Sequence, residues 1–394
     1  MILLDLSHTS HTRARTGVQR VCRSVCDALA AKHEVQAITF DPYQAAWRPL
    51  AAWERANLAS ADVAAKRGAQ WPLGKKIIGR LRRIRGGTTL PSGPIEALIV
   101  PEIFSETVAR NFPALFQRVR GPRIAIFHDA IALKLPELTP GKTVARFPAY
   151  LQEMLAFDGI AAVSEDSLQS LREYWDWLGV SKPPILTKIS LGLTPPHSRL
   201  AFHQASHLHK LIPVLCVGSI EGRKNHLALL DACEKLWHSG LEFELRLVGL
   251  AHAETGRAAL HKIKELQAAH RPLRYDGAVS EADLENAYAE CAFTVYPSLM
   301  EGFGLPVLES VHRGRACICS NKGALGEAAR GGGCLTLDSV DADSLAAAIE
   351  RLVNQPAERD RLAREALARP VRTWTQYAQD LNAFIVDVAA ATNR

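Results

Sequence analysis

The feature that most constrains this chain is a pattern that occurs twice. Short apolar, β-rich runs alternate with amphipathic helical stretches, the series breaks off, and then it begins again. The first series places strands at residues 2–6, 35–40, 97–100, 124–127, 160–163 and 187–190. The second places them at 214–218, 245–249, 273–275, 293–296, 316–319 and 334–337. Alternation of this kind builds parallel sheets covered by helices. Its restart after Pro195, Pro196 and a His-rich stretch reaching His209 predicts two Rossmann-like α/β domains, 1–196 and 197–374. A last helix, 375–394, is expected to pack back on the first domain. A length of 394 residues fits two cores better than one.

The most specific stretch follows the strand at 293–296 and reads Glu301-Gly302-Phe303-Gly304-Leu305-Pro306-Val307-Leu308-Glu309. Pro306 suits the start of a helix, where its missing N–H would be unbonded anyway. The glycines make a tight turn, so backbone N–H groups and the helix start face an anion beyond the strand end. Glu301 and Glu309 flank this turn and can accept from vicinal hydroxyls such as those of ribose or a hexose. Each glutamate alone could be a loop charge or a helix-start charge; the turn between them favours a ligand site. A second group follows the strand ending at Gly218, in Glu221-Gly222-Arg223-Lys224-Asn225. Asn225 is expected to cap the next helix, and two adjacent cations at a strand end can neutralise a diphosphate.

In the first half, Thr16-Gly17-Val18-Gln19-Arg20 sets a glycine-bearing helix start after the opening strand. His128 and Asp129 end the run IAIFHD, at the strand edge where α/β ligand sites gather. Ser164 and Glu165 after IAAV are weaker candidates of the same kind for a cleft between the domains.

VGSIEGRKNHLALLDA and YPSLMEGFGLPVLES together resemble family 4 of the retaining glycosyltransferases, which have the GT-B fold: two Rossmann-like domains with parallel sheets facing a central cleft. The likeness covers nearly all of the second domain and is closest to bacterial mannosyltransferases of surface-polysaccharide assembly. It implies that Glu309 holds the donor ribose, Glu301 a sugar hydroxyl, and Arg223 with Lys224 the diphosphate. The backbone of Gly302, Phe303, Gly304 and Leu305 would cradle sugar and phosphate, and the loop holding Val279 would meet the base. Gly17 would touch the diphosphate and His128 the transferred sugar. The implied reaction moves a hexose, mannose first, from GDP-mannose or another nucleotide sugar to a glycan or polyprenyl-diphosphate-linked acceptor. Retention is attributed to attack from the leaving-group side, so no nucleophile is assigned. Gly326, Arg315 and Leu191-Gly192 depart from common family residues. A non-catalytic nucleotide-sugar-binding subunit and a sugar-nucleotide epimerase stay open as alternatives, whereas a dehydrogenase lacks its GxGxxG.

Composition narrows the remainder. No cofactor or metal is expected: no DxD stands at a donor-facing strand end, and Asp341 and Asp343 suit a helix cap. The eight cysteines form no CxxC pair and read as reduced core residues. With neither a leader nor a membrane-length apolar run, the protein is expected in the cytoplasm, with peripheral placement on the inner face of its membrane open. That option comes from residues 66–85, which hold eight basic and no acidic residues. There Leu73, Ile77, Leu81 and Ile84 share one helical face, and Lys76, Arg80 and Arg83 another, as in a helix that lies on an anionic membrane. A solvated surface helix is the plainer reading, and nucleic acid is disfavoured for want of interleaved aromatics.

Overall fold

The computed structural model describes residues 1–14, 17–60, 68–85 (backbone only at 85), 90, 93–194 and 211–392. Thr16, Lys66, Arg67 and the 195–210 stretch with the expected domain boundary lie outside the described residues. The chain forms two compact units. Unit 1 comprises Met1–Asp129, Arg146–Gly192 and Arg372–Arg394, and unit 2 comprises Ala130–Ala145 and Leu193–Val371. Residues 130–145, read from sequence as part of the first domain, thus group with the second. Leu138 explains this, since a Cβ on Gly222 would come within 3.1 Å of its Cδ2.

Unit 1 opens with β1 (Ile2–Asp5), α1 (Gly17–Ala30), β2 (Val35–Asp41), β3 (Ala46–Pro49), α2 (Ala52–Ala59) and α3 (Leu73–Arg85). β4 (Ala97–Val100), α4 (Glu106–Ala109), α5 (Phe112–Phe116) and β5 (Arg123–Phe127) follow. The chain then passes through unit 2 as α6 (Ile131–Lys134) and the start of α7 (Gly141–Glu153), and returns with β6 (Gly159–Ala162), α8 (Glu165–Trp177) and β7 (Ile185–Lys188). The seven strands lie in the order β3-β2-β1-β4-β5-β6-β7, all parallel except β3. β1, β4 and β6 are buried throughout, which is why they read as unbroken apolar runs in place of alternating ones.

The stretch from 41 to 95, which includes the basic segment, carries β3, α2 and α3. Asp41 Oδ1 takes the N–H groups of Tyr43 and Gln44, both at 3.0 Å, and so turns β2 into β3. Arg48 then pairs with Asp41 at 2.9 Å and with Glu54 at 2.7 Å. Glu54 also meets His11 Nε2 at 2.8 Å, and Trp71 stacks on the His11 ring at 4.0 Å. Burial works against the Glu54 charge, but the bonds from Arg48 and His11 prevail and take its pKa down to about 2.

Trp71 delivers the chain to α3, which rests on the β2–β3 turn at Gly79; a Cβ there would lie 2.8 Å from the Cβ of Tyr43. Lys76 and Arg80 lie over the Tyr43 ring, 5.7 and 5.9 Å from its centre. The helix therefore leaves its apolar side outward, with Leu73 74%, Ile77 51%, Leu81 57% and Ile84 84% exposed.

Unit 2 continues with β8 (Ile212–Val217), α9 (His226–His238), β9 (Phe243–Val248), α10 (Arg257–Ala268), β10 (Leu273–Gly277) and α11 (Glu281–Glu290). β11 (Phe293–Tyr296), α12 (Leu305–His312), β12 (Ala316–Ser320), α13 (Gly323–Ala329), β13 (Cys334–Leu337), α14 (Ala342–Asn354) and α15 (Pro356–Ala368) complete it. Its six parallel strands run β10-β9-β8-β11-β12-β13. α9, α10 and α14 bury leucines and isoleucines against one face of the sheet. α16 (Trp374–Thr392) returns to unit 1 and packs on α1 and β6, where a Cβ on Gly159 would meet Phe384 Cζ at 2.8 Å. Among the described residues, no helix is long and apolar enough to cross a membrane.

Candidate active site

The strand order of unit 2 reverses between β8 and β11. Ligands of open parallel sheets bind beyond the C-terminal strand ends at such a reversal. Gly218, Arg223 and Lys224 follow β8, and Glu301 and the glycine turn follow β11, so both sequence motifs arrive at this place. Glu301 is buried and its Oε1 is shared. Lys224 Nζ lies 2.5 Å from it, Arg223 Nη1 2.9 Å, Ser298 Oγ 2.5 Å and Tyr296 Oη 2.9 Å. Lys224 Nζ also donates to Tyr296 Oη and lies 4.8 Å from the ring centre. Burial favours a neutral Glu301, but the Arg223 and Lys224 charges outweigh it and bring the pKa down to about 2. Burial lowers the pKa of Lys224 and raises that of Tyr296. Arg223 meets a second carboxylate, Glu221, at 2.9 Å, so two cations face two anions here. Tyr296, Ser298 and Glu221 were missed in the sequence reading; the hydroxyls of the YPS run just before Glu301 were the available signal.

Gly304 precedes α12 with a φ of 90°, a left-handed conformation that favours glycine, and a Cβ there would lie 3.0 Å from that of Ala328. Pro306 is the second helical residue, and the N–H groups of Val307 and Leu308 bond the Gly304 carbonyl. Leu305 is the first residue of the helix, ahead of the N–H groups that join its hydrogen-bond ladder. Gly302 and Phe303 are half-buried beside it. Glu309 is buried one turn further on, with Tyr288 Oη 3.4 Å from its Oε2. Val279, half-buried before α11, packs on a cluster holding Leu215, Val248 and Tyr288. Asn225 occupies the N-cap position of α9 in a left-handed conformation, but its side chain caps nothing and instead donates to the Val340 carbonyl at 2.7 Å. Asp341 does cap α14, accepting from Ser344 N–H at 2.8 Å.

In unit 1, His128 is buried after β5, and its Nε2 lies 2.7 Å from the Pro101 carbonyl. A carbonyl only accepts, so Nε2 carries the proton and Nδ1 is the acceptor. Burial lowers the His128 pKa, which keeps the ring neutral. Asp129 is half-buried beside it, and Gly17 opens α1 with open space where a Cβ would stand. Ser164 is occupied as the cap of α8, accepting from Ser167 N–H at 3.1 Å. Glu165 is exposed in the first turn of that helix. The strand order of unit 1 reverses between β1 and β4, and this brings together two residues the sequence reading passed over, Asp5 and Glu102. Glu102 takes the N–H groups of His8 and Thr9, each at 2.6 Å. Burial and the Glu102 charge push the Asp5 carboxyl up to about 8. The signal was an acid at or just past the end of each apolar strand, Asp5 closing β1 and Glu102 two residues beyond β4.

The departures from the family pattern have local causes. A Cβ on Gly326 would lie 2.0 Å from the Asn321 carbonyl oxygen, and one on Gly192 2.4 Å from the Trp374 nitrogen. Arg315 closes the end of α11 by donating to the carbonyls of Tyr288 and Ala289 at 3.0 and 2.6 Å.

A helix start, a cation pair and two buried carboxylates thus meet at one strand-order reversal. Residues 200–369 match the family model for Glycosyl transferases group 1. Among curated proteins, the chain is 23% identical over 329 residues to the serotype-specific mannosyltransferase WbdA of Escherichia coli, covering 79% of this chain and 38% of the relative. It is 28% identical over 269 residues to the O-antigen chain mannosyltransferase B of Escherichia coli, covering 66% and 69%. The chain thus spans under two fifths of the length of WbdA. Among solved structures, sucrose-phosphate synthase from Thermosynechococcus elongatus superposes with a TM-score of 0.70 at 18% identity, over 99% of both chains. Anabaena HepE in complex with UDP gives 0.65 at 14% identity, over 98% and 99%. The fold is GT-B.

Proposed function

We propose that this chain is a retaining glycosyltransferase that needs no metal. It moves a hexose, mannose first, from GDP-mannose or another nucleotide diphosphate sugar to a glycan or polyprenyl-diphosphate-linked acceptor in bacterial surface-polysaccharide synthesis. The observation that carries this reading is the sharing of buried Glu301 between Arg223 and Lys224 at the β8–β11 reversal. The mannosyltransferases to which the chain is similar support the choice of sugar. In the proposed reaction the diphosphate engages Arg223, Lys224 and the start of α12, which stabilise the charge that develops as it leaves. Glu301 holds a sugar hydroxyl and Glu309 the ribose, while the turn from Gly302 to Leu305 lies along sugar and phosphate. The acceptor hydroxyl attacks the anomeric carbon on the face from which the diphosphate departs. The bond from that carbon to the phosphate oxygen breaks, and the hydroxyl proton passes to the departing diphosphate. His128, neutral and with Nδ1 as acceptor, is the unit 1 candidate for a sugar hydroxyl.

We assign α3 to peripheral attachment at an anionic membrane surface, where a lipid-linked acceptor would be presented. Its outward apolar side, flanked by exposed Lys75, Arg82 and Arg83, supports this assignment.

The test of the reaction is release of nucleoside diphosphate from GDP-mannose and UDP-sugars with and without a membrane extract as acceptor. Acceptor-dependent release is expected; none with any donor favours a non-catalytic binding subunit. Glu309→Ala should raise the Kd of GDP about tenfold, the scale of one hydrogen bond to a charged group. Glu301→Gln should lower kcat about a hundredfold with little change in that Kd. Equal loss of nucleotide affinity in both variants would overturn the division of roles.

A further inference from the structure

Tyr288, Arg313 and Glu285 form a closed brace around Glu309 that the proposed reaction does not use directly. Tyr288 and Glu285 lie on α11, Glu309 lies on α12, and Arg313 follows one turn later as the C-cap residue of that helix. The Arg313 guanidinium lies over the Tyr288 ring, 4.5 Å from its centre, and its Nη1 donates to the Glu309 backbone carbonyl at 2.9 Å. Its Nε donates to Glu285 at 3.1 Å, and its Nη2 pairs with the other oxygen of that carboxylate. Tyr288 is buried to 1% exposure, and its hydroxyl faces Glu309 Oε2 at 3.4 Å. A bidentate Arg–carboxylate pair is the rigid kind of ion pair, and a guanidinium stacked on a ring keeps that ring from swinging. The hydroxyl is thereby held on one side of the Glu309 carboxylate.

We infer that Tyr288, held by Arg313 and Glu285, is a positioning residue that fixes the plane of the Glu309 carboxylate, so that the site selects a nucleoside diphosphate with an intact ribose diol. This rests on the proposed ribose role of Glu309. A carboxylate free to rotate about its side-chain bonds accepts from a diol only after being ordered, whereas a fixed one meets two vicinal hydroxyls already in place. Tyr288→Phe removes the hydroxyl and keeps the ring on which Arg313 lies.

The measurement is the ratio of Kd values for 2′,3′-dideoxy-GDP and GDP by calorimetry, with the corresponding UDP pair as a second set. Wild type should prefer the ribonucleotide. Tyr288→Phe should shrink that preference about three- to tenfold through weaker GDP binding, with the dideoxy Kd unmoved. Arg313→Lys, which keeps the charge but loses the planar fork, should shrink it in the same direction and serves if the tyrosine variant folds poorly. A merely structural role would weaken both ligands alike and leave the ratio intact, and that result overturns the inference. A wild type that binds both ligands equally overturns the ribose role of Glu309 and the inference with it.

Discussion

Asp5 and Glu102 are two buried carboxyl groups in unit 1, and the charge of Glu102 works against that of Asp5. Glu102 receives two backbone N–H groups at 2.6 Å; Asp5 Oδ1 accepts from the Ser7 N–H and hydroxyl, but among the described residues its Oδ2 has no hydrogen-bond partner. Asp5 therefore holds a proton up to about pH 8 in the folded chain, against about 3.8 for an ordinary aspartate. Between those values the folded state binds more protons than the unfolded one. The stability linked to Asp5 is fully present below about pH 3.8 and is lost as pH rises through about 8. Asn is an uncharged isostere of the protonated form. Asp5→Asn should melt together with wild type near pH 4 and clearly above it near pH 9, by about 2–4 °C for each kcal/mol of linked stability that wild type has lost there. Calorimetry at the two pH values checks this, and a shift of equal size at both would leave the buried proton without support.

At the scale of elements, α3 leaves outward the apolar face that its sequence offers to a membrane, but turns inward two of the cations on its other face. The periodicity of Leu73, Ile77, Leu81 and Ile84 marks one side of a helix, and that side points to solvent. Lys76 and Arg80, expected to meet phosphates, lie over Tyr43. Periodicity tells which residues share a face but not which face is covered. Gly79 decided that here, because only a residue without a side chain lets the helix approach the β2–β3 turn so closely. The membrane test moves accordingly. Leu81→Asp with Ile84→Asp should abolish sedimentation with phosphatidylglycerol-rich vesicles. Charge reversal at Lys75, Arg82 and Arg83 should make the remaining binding weaker and insensitive to salt, each cation contributing about 1 kcal/mol. Nucleotide binding should not change in either, and vesicle binding intact in both variants would return α3 to a solvated role.

The parallel strands were legible because apolar runs separated by amphipathic helices admit few other folds, and the GFGLP turn was legible because its residues are adjacent. The anchoring of residues 41–95 was not, since Glu54 takes its partner His11 from 43 positions away and nothing in either neighbourhood announces the other. Tyr288 and Arg313 were hidden for the same reason: each looks like an ordinary helix residue until α11 and α12 lie side by side.

At the scale of the whole molecule, nucleotide binding should be felt throughout unit 2, including its detached piece. GDP at a hundred times its Kd stabilises the unit that binds it by about 2.7 kcal/mol. Hydrogen exchange should then slow in the core strands β8 and β11 and also in α6, because residues 130–145 belong to the same unit although some eighty positions precede β8. If α6 exchanges as if no nucleotide were present, the division of the chain into these two units is wrong.

That division also sets an order of completion during synthesis. The chain starts unit 1, visits unit 2 at residue 130, returns at 146, leaves again at 193, and comes back for the last time at 372. Chains leave the ribosome at about 5–20 residues per second and fold as they emerge. The surface of α1 and β6 that α16 covers has no cover until Trp374–Thr392 are out, and by then every residue of unit 2 has already been made. The half begun first is finished last. A nascent chain stalled near residue 371 would have all of unit 2 synthesised but the Gly159 side of the unit 1 sheet still open, an apolar surface that a chaperone could bind.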